Sequence, residues 1–241
     1  MESYTGKIGI FGGTFDPVHY AHLFLAETAY EEAGLDRVLF MPSPDPYYRS
    51  DKIVSSYEKR MDMLRLATAD NDHFEVSDFE IRLWQDTLRH TYTADTLSAF
   101  KAANPGCEIF FILGGDSVFS LESWKEPEKI FECASLISSP RSGQINGASG
   151  DCAPTGAAFG DPEEEFENHI QHLRDRYGAR IMNVHFPLID ISSSAVLKRL
   201  REGKSVKYYL PDSVIKYMDY VLMKDDNGWY IYSVQYHRTE G

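Results

Sequence analysis

Residues 7–22 read KIGIFGGTFDPVHYAH, and this stretch decides how the fold begins. The apolar run KIGIF predicts a short buried strand, which a Gly-Gly pair brings to an end. A helix is expected over 20–33, because its apolar residues fall on one side and Gly34 follows as a typical C-terminal glycine. A strand, a glycine turn and a helix in direct succession are typical of an α/β protein.

The same alternation continues along the chain. We expect strands at 37–42, 74–80, 107–115, 134–138 and 179–187, and helices at 56–69, 93–103, 128–131, 163–177, 194–202 and 212–222. Strands separated by helices imply right-handed βαβ crossovers. The predicted fold class is therefore α/β, a doubly wound, Rossmann-like parallel sheet with a C-terminal helical region. Ligands bind such sheets beyond the carboxyl ends of the strands.

One domain is predicted for residues 1–223, because a chain of 241 residues suits one sizeable core better than two equal ones. This domain contains an insertion at about 142–178. The first part of the insertion, 142–161, is rich in glycine, proline and small polar residues and predicts a loop. Residues 224–241 form a C-terminal tail, in which 229–237 could pair as an edge strand.

The composition limits the classes of partner. A formal net charge of −13 argues against a nucleic-acid partner, which requires a basic surface, but not against a nucleotide. No membrane span is predicted, because no apolar run approaches about 18 residues, and the N-terminus lacks the apolar core of a signal peptide. Three cysteines without CxxC spacing fit reduced thiols in a cytoplasmic protein better than disulfides or a zinc site. The sequence does not determine the oligomeric state, and a homo-oligomer is one of the states it leaves open.

The glycine turn is the first candidate for phosphate binding. Gly12, Gly13 and Thr14 follow a strand directly, and a backbone with small side chains lets N–H groups approach an anion. His19 and His22 are three residues apart, so the first turn of a helix would place both imidazoles on one face. There they could stabilise charge on a phosphorus atom and on departing pyrophosphate. The alternative, two incidental histidines after a glycine turn, suits a lone Gly-Gly pair better than the full string GGTFDPVHxxH.

Two segments further along carry candidate phosphate and ribose ligands, each with a plainer alternative. Residues 192–194 are three serines that open a predicted helix, where hydroxyl and N–H groups could bind a second anion or merely cap the helix. Asp116 follows Gly114 at a strand end and could accept hydrogen bonds from ribose or cap a helix.

The remaining candidates suit a planar, negatively charged acceptor. Trp124 offers a flat face for a pyridine ring, with Tyr92 and Thr93 completing the pocket; the alternative is a core tryptophan. Lys52 and Arg141 could each reach a phosphate, although most surface cations are only solvated.

The string GGTFDPVHYAH resembles the GGTFDPxHxGH signature of the nucleotidyltransferase superfamily. Five later segments resemble, in order and spacing, the bacterial nicotinate-nucleotide adenylyltransferases: MPSPDP (41–46), TYTADTL (91–97), FFILGGDSVFSLESW (110–124), SSPRSG (138–143) and DISSSAVLKRL (190–200). The resemblance implies the nucleotidyltransferase form of the Rossmann-like fold. It also implies a reaction of NAD biosynthesis in which the 5′-phosphate of nicotinate mononucleotide attacks the α-phosphate of ATP, with Mg²⁺ on the phosphates. The products are deamido-NAD and pyrophosphate.

The resemblance implies roles for individual residues as well. Catalysis is expected from His19 and His22. Binding of ATP and its phosphates is expected from Gly12, Gly13, Thr14, Phe15, Gly114, Asp116, Ser192, Ser193, Ser194 and Arg199. Binding of nicotinate mononucleotide is expected from Lys52, Tyr92, Thr93, Trp124 and Arg141. No metal ligand is expected on the protein itself.

Three departures from the family pattern keep alternatives open. Ala21 replaces the usual glycine between the histidines, and Leu197 replaces the usual arginine of the second phosphate motif, for which Lys198 or Arg199 could substitute. The run PYYRSDK stands where the family has PPHK. The alternatives are a superfamily enzyme with another acceptor (nicotinamide mononucleotide, phosphopantetheine or FMN) or a non-catalytic nucleotide-binding protein. A synthetase-like protein that shares the HxxH element is disfavoured by the short, acidic chain.

Overall fold

A computed structural model describes residues 3–44, 54–139, 162–185, 189, 191–225 and 228–236, with the backbone alone at Asp116, Pro162 and from residue 219 onward. The strands are β1 (Gly6–Gly13), β2 (Arg37–Pro42), β3 (Phe74–Val76), β4 (Cys107–Gly114), β5 (Ser135–Ser139), β6 (Ile181–Asn183), β7 (Met218–Asp225) and β8 (Gly228–Tyr236). The helices are α1 (Tyr20–Ala33), α2 (Tyr57–Thr68), α3 (Phe79–Thr87), α4 (Thr93–Ala103), α5 (Gly115–Ser120), α6 (Pro127–Cys133), α7 (Pro162–Tyr177), α8 (Ser193–Arg201) and α9 (Asp212–Tyr217), with a 3₁₀ turn at Leu121–Ser123.

Strands β1 to β6 form one sheet in the order β3-β2-β1-β4-β5-β6. The pairs β1–β4, β2–β3, β4–β5 and β5–β6 run parallel. The chain builds outward from β1 to β3 and then resumes with β4 on the other side of β1, which is the doubly wound order. The predicted α/β fold class is thereby confirmed.

The chain divides into two compact units. Unit 1 comprises Met1–Phe11, Thr28–Asp36 and Tyr92–Leu188. In its core, β4 buries five consecutive apolar residues, 109–113, as a central parallel strand requires. Helix α7 buries Phe166, Ile170 and Leu173 on one face, which confirms the amphipathic helix predicted at 163–177.

Unit 2 comprises Gly12–Glu27, Arg37–Thr91 and Ile189–Gly241. The four residues 38–41 of β2 are fully buried, and the ring of Phe40 packs edge-on against Phe74. Helix α2 adds apolar residues to this core and also buries a charged side chain, Arg60. The prediction of one domain over 1–223 stays a prediction.

The strand predicted at 74–80 is wrong in its second half. Strand β3 ends at Val76, and α3, which the sequence did not predict, begins at Phe79. The chain turns locally at this point: the hydroxyl of Ser77 accepts a hydrogen bond from the backbone N–H of Phe79, the first residue of α3, and Asp78 lies at the N-cap. The pattern of Ser77 followed by Glu80 three residues later is a capping signal that could have revealed the helix.

The C-terminal helix predicted at 212–222 is also too long. Helix α9 ends at Tyr217, and Met218 begins β7, which pairs antiparallel with β8 in a separate two-stranded sheet. Strand β8 covers most of the segment predicted at 229–237, but its partner is β7 and not the edge of the main sheet. In the sequence, the Asn-Gly pair at 227–228 is typical of a tight hairpin and could have predicted these two paired strands.

Two other predictions on the last third of the chain are limited by what is described. Strand β6 covers only the middle of the segment predicted at 179–187, part of which lies outside the described residues, as does the loop predicted at 142–161. Among the helices of the described residues, none has both the length and the apolar character that crossing a bilayer demands.

Candidate active site

The glycine turn lies at the carboxyl end of β1, in unit 2. Gly12 and Gly13 are the last residues of the strand, and Thr14 and Phe15 follow as buried residues. Phe15 has a φ of +51°, a left-handed conformation that an aromatic residue rarely adopts. A left-handed residue within a turn is a component of the backbone nests that bind anions. The turn therefore has a backbone shape suited to phosphate, while the side chain of Phe15 belongs to the core.

The side chain of Phe15 holds this conformation by packing. Its ring is 2% exposed and lies edge-on to the ring of His22, with 5.0 Å between the centroids. It also contacts Phe40, at a centroid distance of 5.8 Å. A Cβ atom added to Gly13 would lie 3.0 Å from the same ring, so the ring would have to shift by a few tenths of an ångström to admit a side chain there. The ring of Phe15 thus lies between the glycine turn and the second histidine and contacts both.

The two histidines lie together as predicted. Their rings stack with centroids 3.6 Å apart and planes inclined by 15°. Two positive charges so close would repel each other by about 4 kcal/mol at an effective dielectric constant of about 20.

The backbone settles the tautomer of the second histidine. The N–H of His19 donates to Nδ1 of His22 at 3.2 Å, so the neutral ring of His22 carries its hydrogen on Nε2. His19 is 1% exposed, whereas His22 is only partly buried. His22 is consequently the histidine with the more accessible donor.

The first amide groups of α1 are largely occupied. The N–H of Tyr20 donates to the carbonyl of Tyr209 at 3.0 Å, and the N–H groups of His22 and Leu23 both donate to the carbonyl of His19. Direct hydrogen bonds from a helix N-terminus to a phosphate require free N–H groups. These contacts leave few N–H groups in the first turn of α1 for a phosphate.

The serine motif is joined to the glycine motif within unit 2. Ser192 caps α8, accepting a hydrogen bond from the N–H of Ala195 at 3.1 Å. The hydroxyl of Ser193 donates to the carbonyl of Pro17 at 2.9 Å, although the two residues are 176 positions apart. Ser194 is exposed in the first turn of α8. The two predicted phosphate motifs are therefore neighbours, and Ser193 connects them.

The predicted substitutes for the missing arginine lie on α8 but contact other parts of the chain. Nε of Arg199 donates to the carbonyl of Ser205 at 3.0 Å, and its guanidinium lies 4.6 Å from the ring centroid of Tyr209. Lys198 is exposed, and Leu197 is partly buried. The phosphate role of Arg199 stays a prediction. The methyl group of Ala21, the other departure, is buried.

The residues predicted to bind the pyridine ring lie in unit 1. Tyr92 precedes α4 and Thr93 is its first residue, while Trp124 follows the 3₁₀ turn. The indole N–H of Trp124 donates to the hydroxyl of Ser120 at 3.1 Å, and its ring is partly exposed. A core tryptophan, the plainer alternative, would be fully buried.

Sequence reasoning missed a cation among these residues. The ammonium group of Lys125 lies 4.4 Å from the centroid of the Tyr92 ring. It is also 3.7 Å from a carboxylate oxygen of Asp95, which accepts a hydrogen bond from the N–H of Tyr92. Position 125 directly follows the predicted stacking residue, and that adjacency was the available signal.

Other predicted residues are described less fully or not at all. Gly114 ends β4 and precedes α5, in which Asp116 lies without a described side chain. Lys52 and Arg141 lie outside the described residues. Within the part of the chain that the structure describes, no three His, Cys, Asp or Glu side chains come together as a metal site.

Comparisons with known proteins show which family this chain resembles. A model of the Cytidylyltransferase-like family matches residues 10–199, from β1 into α8. A protein of Lachnoclostridium phytofermentans is 36% identical over 212 residues, covering 88% of this chain and 96% of the relative. A protein of Citrifermentans bemidjiense is 37% identical over 216 residues, covering 88% and 95%. Both carry the name "Probable nicotinate-nucleotide adenylyltransferase".

The chain belongs to the nicotinate-nucleotide adenylyltransferase family. It is thus an enzyme, a nucleotidyltransferase, and the non-catalytic alternative is set aside. A solved structure of Plasmodium falciparum nicotinic acid mononucleotide adenylyltransferase complexed with NaAD shares the fold, with a TM-score of 0.63 at 21% identity. It covers 88% of this chain and 96% of its own. The departures noted at positions 21 and 197 are local changes, since the fold and both motifs are kept here.

Proposed function

We propose that the chain transfers the adenylyl group of ATP to the 5′-phosphate of nicotinate mononucleotide. An oxygen of that phosphate attacks the α-phosphorus, the bond from the α-phosphorus to the bridging oxygen breaks, and pyrophosphate leaves. The product is deamido-NAD. The observation that carries the proposal is the stacked pair His19–His22 beside the turn at the end of β1, joined through Pro17 to Ser193.

Each part of unit 2 has a task in this reaction. The backbone of the Gly12–Phe15 turn binds phosphate oxygens. Nε2 of His22 donates a hydrogen bond to an oxygen whose negative charge grows in the transition state, which is where a fixed donor lowers the barrier most. No side chain needs to become a nucleophile, because the attacking atom belongs to the acceptor. Catalysis then consists of positioning and charge stabilisation.

Unit 1 is proposed to recognise the acceptor. Trp124 presents a partly exposed indole on which the pyridine ring can stack, and Tyr92 and Thr93 lie at the start of α4. The ammonium group of Lys125 supplies positive charge for the carboxylate that distinguishes nicotinate from nicotinamide. Lys52 and Arg141 are proposed for the acceptor phosphate, and Gly114 and Asp116 for the ATP ribose, on the family pattern alone.

Magnesium is proposed to enter as part of the substrate MgATP. The phosphate oxygens of ATP would bind the ion. The cytoplasmic location and the oligomeric state stay predictions from the sequence.

Product analysis with a set of acceptors tests the proposal. The purified chain is incubated with MgATP and, in parallel, with nicotinate mononucleotide, nicotinamide mononucleotide, FMN or phosphopantetheine. We expect deamido-NAD and an equal amount of pyrophosphate, with the highest kcat/KM for nicotinate mononucleotide. A higher kcat/KM for any other acceptor would overturn the substrate assignment, and no pyrophosphate with any acceptor would overturn the reaction.

A further inference from the structure

Arg60 is a buried arginine whose guanidinium donates hydrogen bonds to backbone carbonyl groups. It is 1% exposed and is the largest of the fully buried side chains in unit 2. Nε donates to the carbonyl of Ser55 at 3.0 Å, one terminal nitrogen donates to that of Thr14 at 2.8 Å, and the other donates to that of Ser43 at 2.7 Å. A longer contact, 3.3 Å, reaches the carbonyl of Pro44. Burying a guanidinium costs free energy unless its donors are satisfied, and here the carbonyl groups satisfy them.

The network lies on the phosphate turn itself. The carbonyl that Arg60 binds at Thr14 belongs to the Thr14–Phe15 peptide, whose N–H is one of the donors proposed for ATP. In a trans peptide the carbonyl and the N–H point in opposite directions, so fixing one fixes the other. A positive charge at the carbonyl oxygen also polarises the peptide and strengthens its N–H as a donor.

Neighbouring contacts hold the turn in the same way. The carbonyl of Gly13 accepts from the N–H of Ser43 at 3.0 Å, and the carboxylate of Asp16 accepts from the N–H of Ser55 at 2.8 Å. Ser43 and Ser55 are also the residues whose carbonyls Arg60 binds. Arg60 therefore fixes both the turn and the two backbone segments that support it.

We propose that Arg60 is a positioning residue for ATP, which aligns the Thr14–Phe15 peptide for a phosphate through its hydrogen bonds to Thr14, Ser43 and Ser55. The inference rests on the proposed function, because it takes the turn as the phosphate site. Arg60 acts through the backbone and does not itself touch ATP. Lysine cannot replace it, since a single ammonium nitrogen cannot span carbonyl groups on separate segments.

The test compares a ligand that has phosphates with one that lacks them. Dissociation constants for ATP and for adenosine are measured by calorimetry with the wild type, Arg60→Lys and Arg60→Gln, each checked for folding by circular dichroism. Losing a charge-assisted hydrogen bond network on the turn should weaken ATP binding about tenfold or more and leave adenosine binding within about twofold. Arg65→Gln is the matched control, because Arg65 lies on the same helix but is exposed and pairs only locally with Asp62.

The outcomes separate a positioning role from a structural one. Equal loss of ATP and adenosine affinity in a folded variant, or no loss of either, would overturn the inference. Failure of Arg60→Lys to fold would overturn it too, since the network would then serve the fold as a whole. Wild-type deamido-NAD synthesis is measured alongside: its absence rejects the proposed function, whereas its presence with an unchanged ratio of affinities rejects only the role of Arg60.

Discussion

Replacing Gly13 by alanine probes the coupling between the phosphate turn and His22. The added Cβ would lie 3.0 Å from Cζ of Phe15 and 3.2 and 3.3 Å from its two Cε atoms, closer than ordinary contact allows. Gly13 does not itself have a left-handed φ, so the effect is one of space and not of backbone conformation. The ring of Phe15 must recede by a few tenths of an ångström, but it is 2% exposed and lies against His22. The displacement therefore passes to His22, the proposed catalytic residue.

The size of the effect follows from this overpacking. Inserting a methyl group into a packed core costs about 1–3 kcal/mol, and in a chain of this size each kcal/mol lowers Tm by about 2–4 °C. We expect Gly13→Ala to lower Tm by about 2–12 °C. Misplacing a catalytic group by up to about 1 Å can cost about a hundredfold in rate, so kcat should fall about 10- to 100-fold.

Calorimetry and the steady-state rate of deamido-NAD formation measure the two effects. Gly106→Ala is the control, because its added Cβ would meet only a methyl group of Thr5 at 3.6 Å, an ordinary contact. It should leave both Tm and kcat near the wild-type values. A Gly13→Ala variant with unchanged Tm and turnover would refute the idea that the buried ring of Phe15 fixes the position of His22 relative to the turn.

Three further substitutions test separate parts of the enzyme. His22→Ala should lower kcat on the order of 10²-fold or more while changing the Kd for ATP far less, because its Nε2 donor acts mainly in the transition state; near-normal turnover would remove it from the catalytic residues. Lys125→Gln should raise KM for nicotinate mononucleotide several-fold more than KM for nicotinamide mononucleotide, and an unchanged ratio, as expected for the control Lys129→Gln on α6, would contradict a role in acceptor choice. Burial raises the pKa of the Glu80 carboxyl from its ordinary 4.5 to about 8, although the hydrogen bond from Thr91 and the charge of Arg60 lower it. Because the folded-state value is the higher one, this group's stabilising effect is complete below about pH 4.5 and is lost as the pH rises through about 8. Thermal melts between pH 4.5 and 9 should accordingly show the stability of Glu80→Gln relative to the wild type rising as the pH increases to about 8 and then levelling off, and parallel curves would show that Glu80 is not a buried acid.

Much of the candidate site could be predicted because the motif is local. The spacing of His19 and His22 together with the glycine pair predicted two rings on one face, and the structure stacks them. The donors that support the turn could not be found in this way. Arg60 lies 46 residues from Thr14 and Ser193 lies 176 residues from Pro17, and no periodicity in the sequence links such positions. Lys125 was missed for a related reason, since only the folded chain brings its ammonium group to the ring of Tyr92.

The sequence by itself determined the α/β alternation of strands and helices, the placing of His19 and His22 on one face, and the family. Hydrophobic periodicity and glycine placement are properties of neighbouring residues, and they record which face of each element is buried. Only the tertiary structure decided where α3 replaces a strand, where β7 replaces the end of α9, and which groups hydrogen-bond the turn. The physical reason is that a buried donor takes whichever carbonyl the fold brings within about 3 Å, and that choice depends on how distant segments cross.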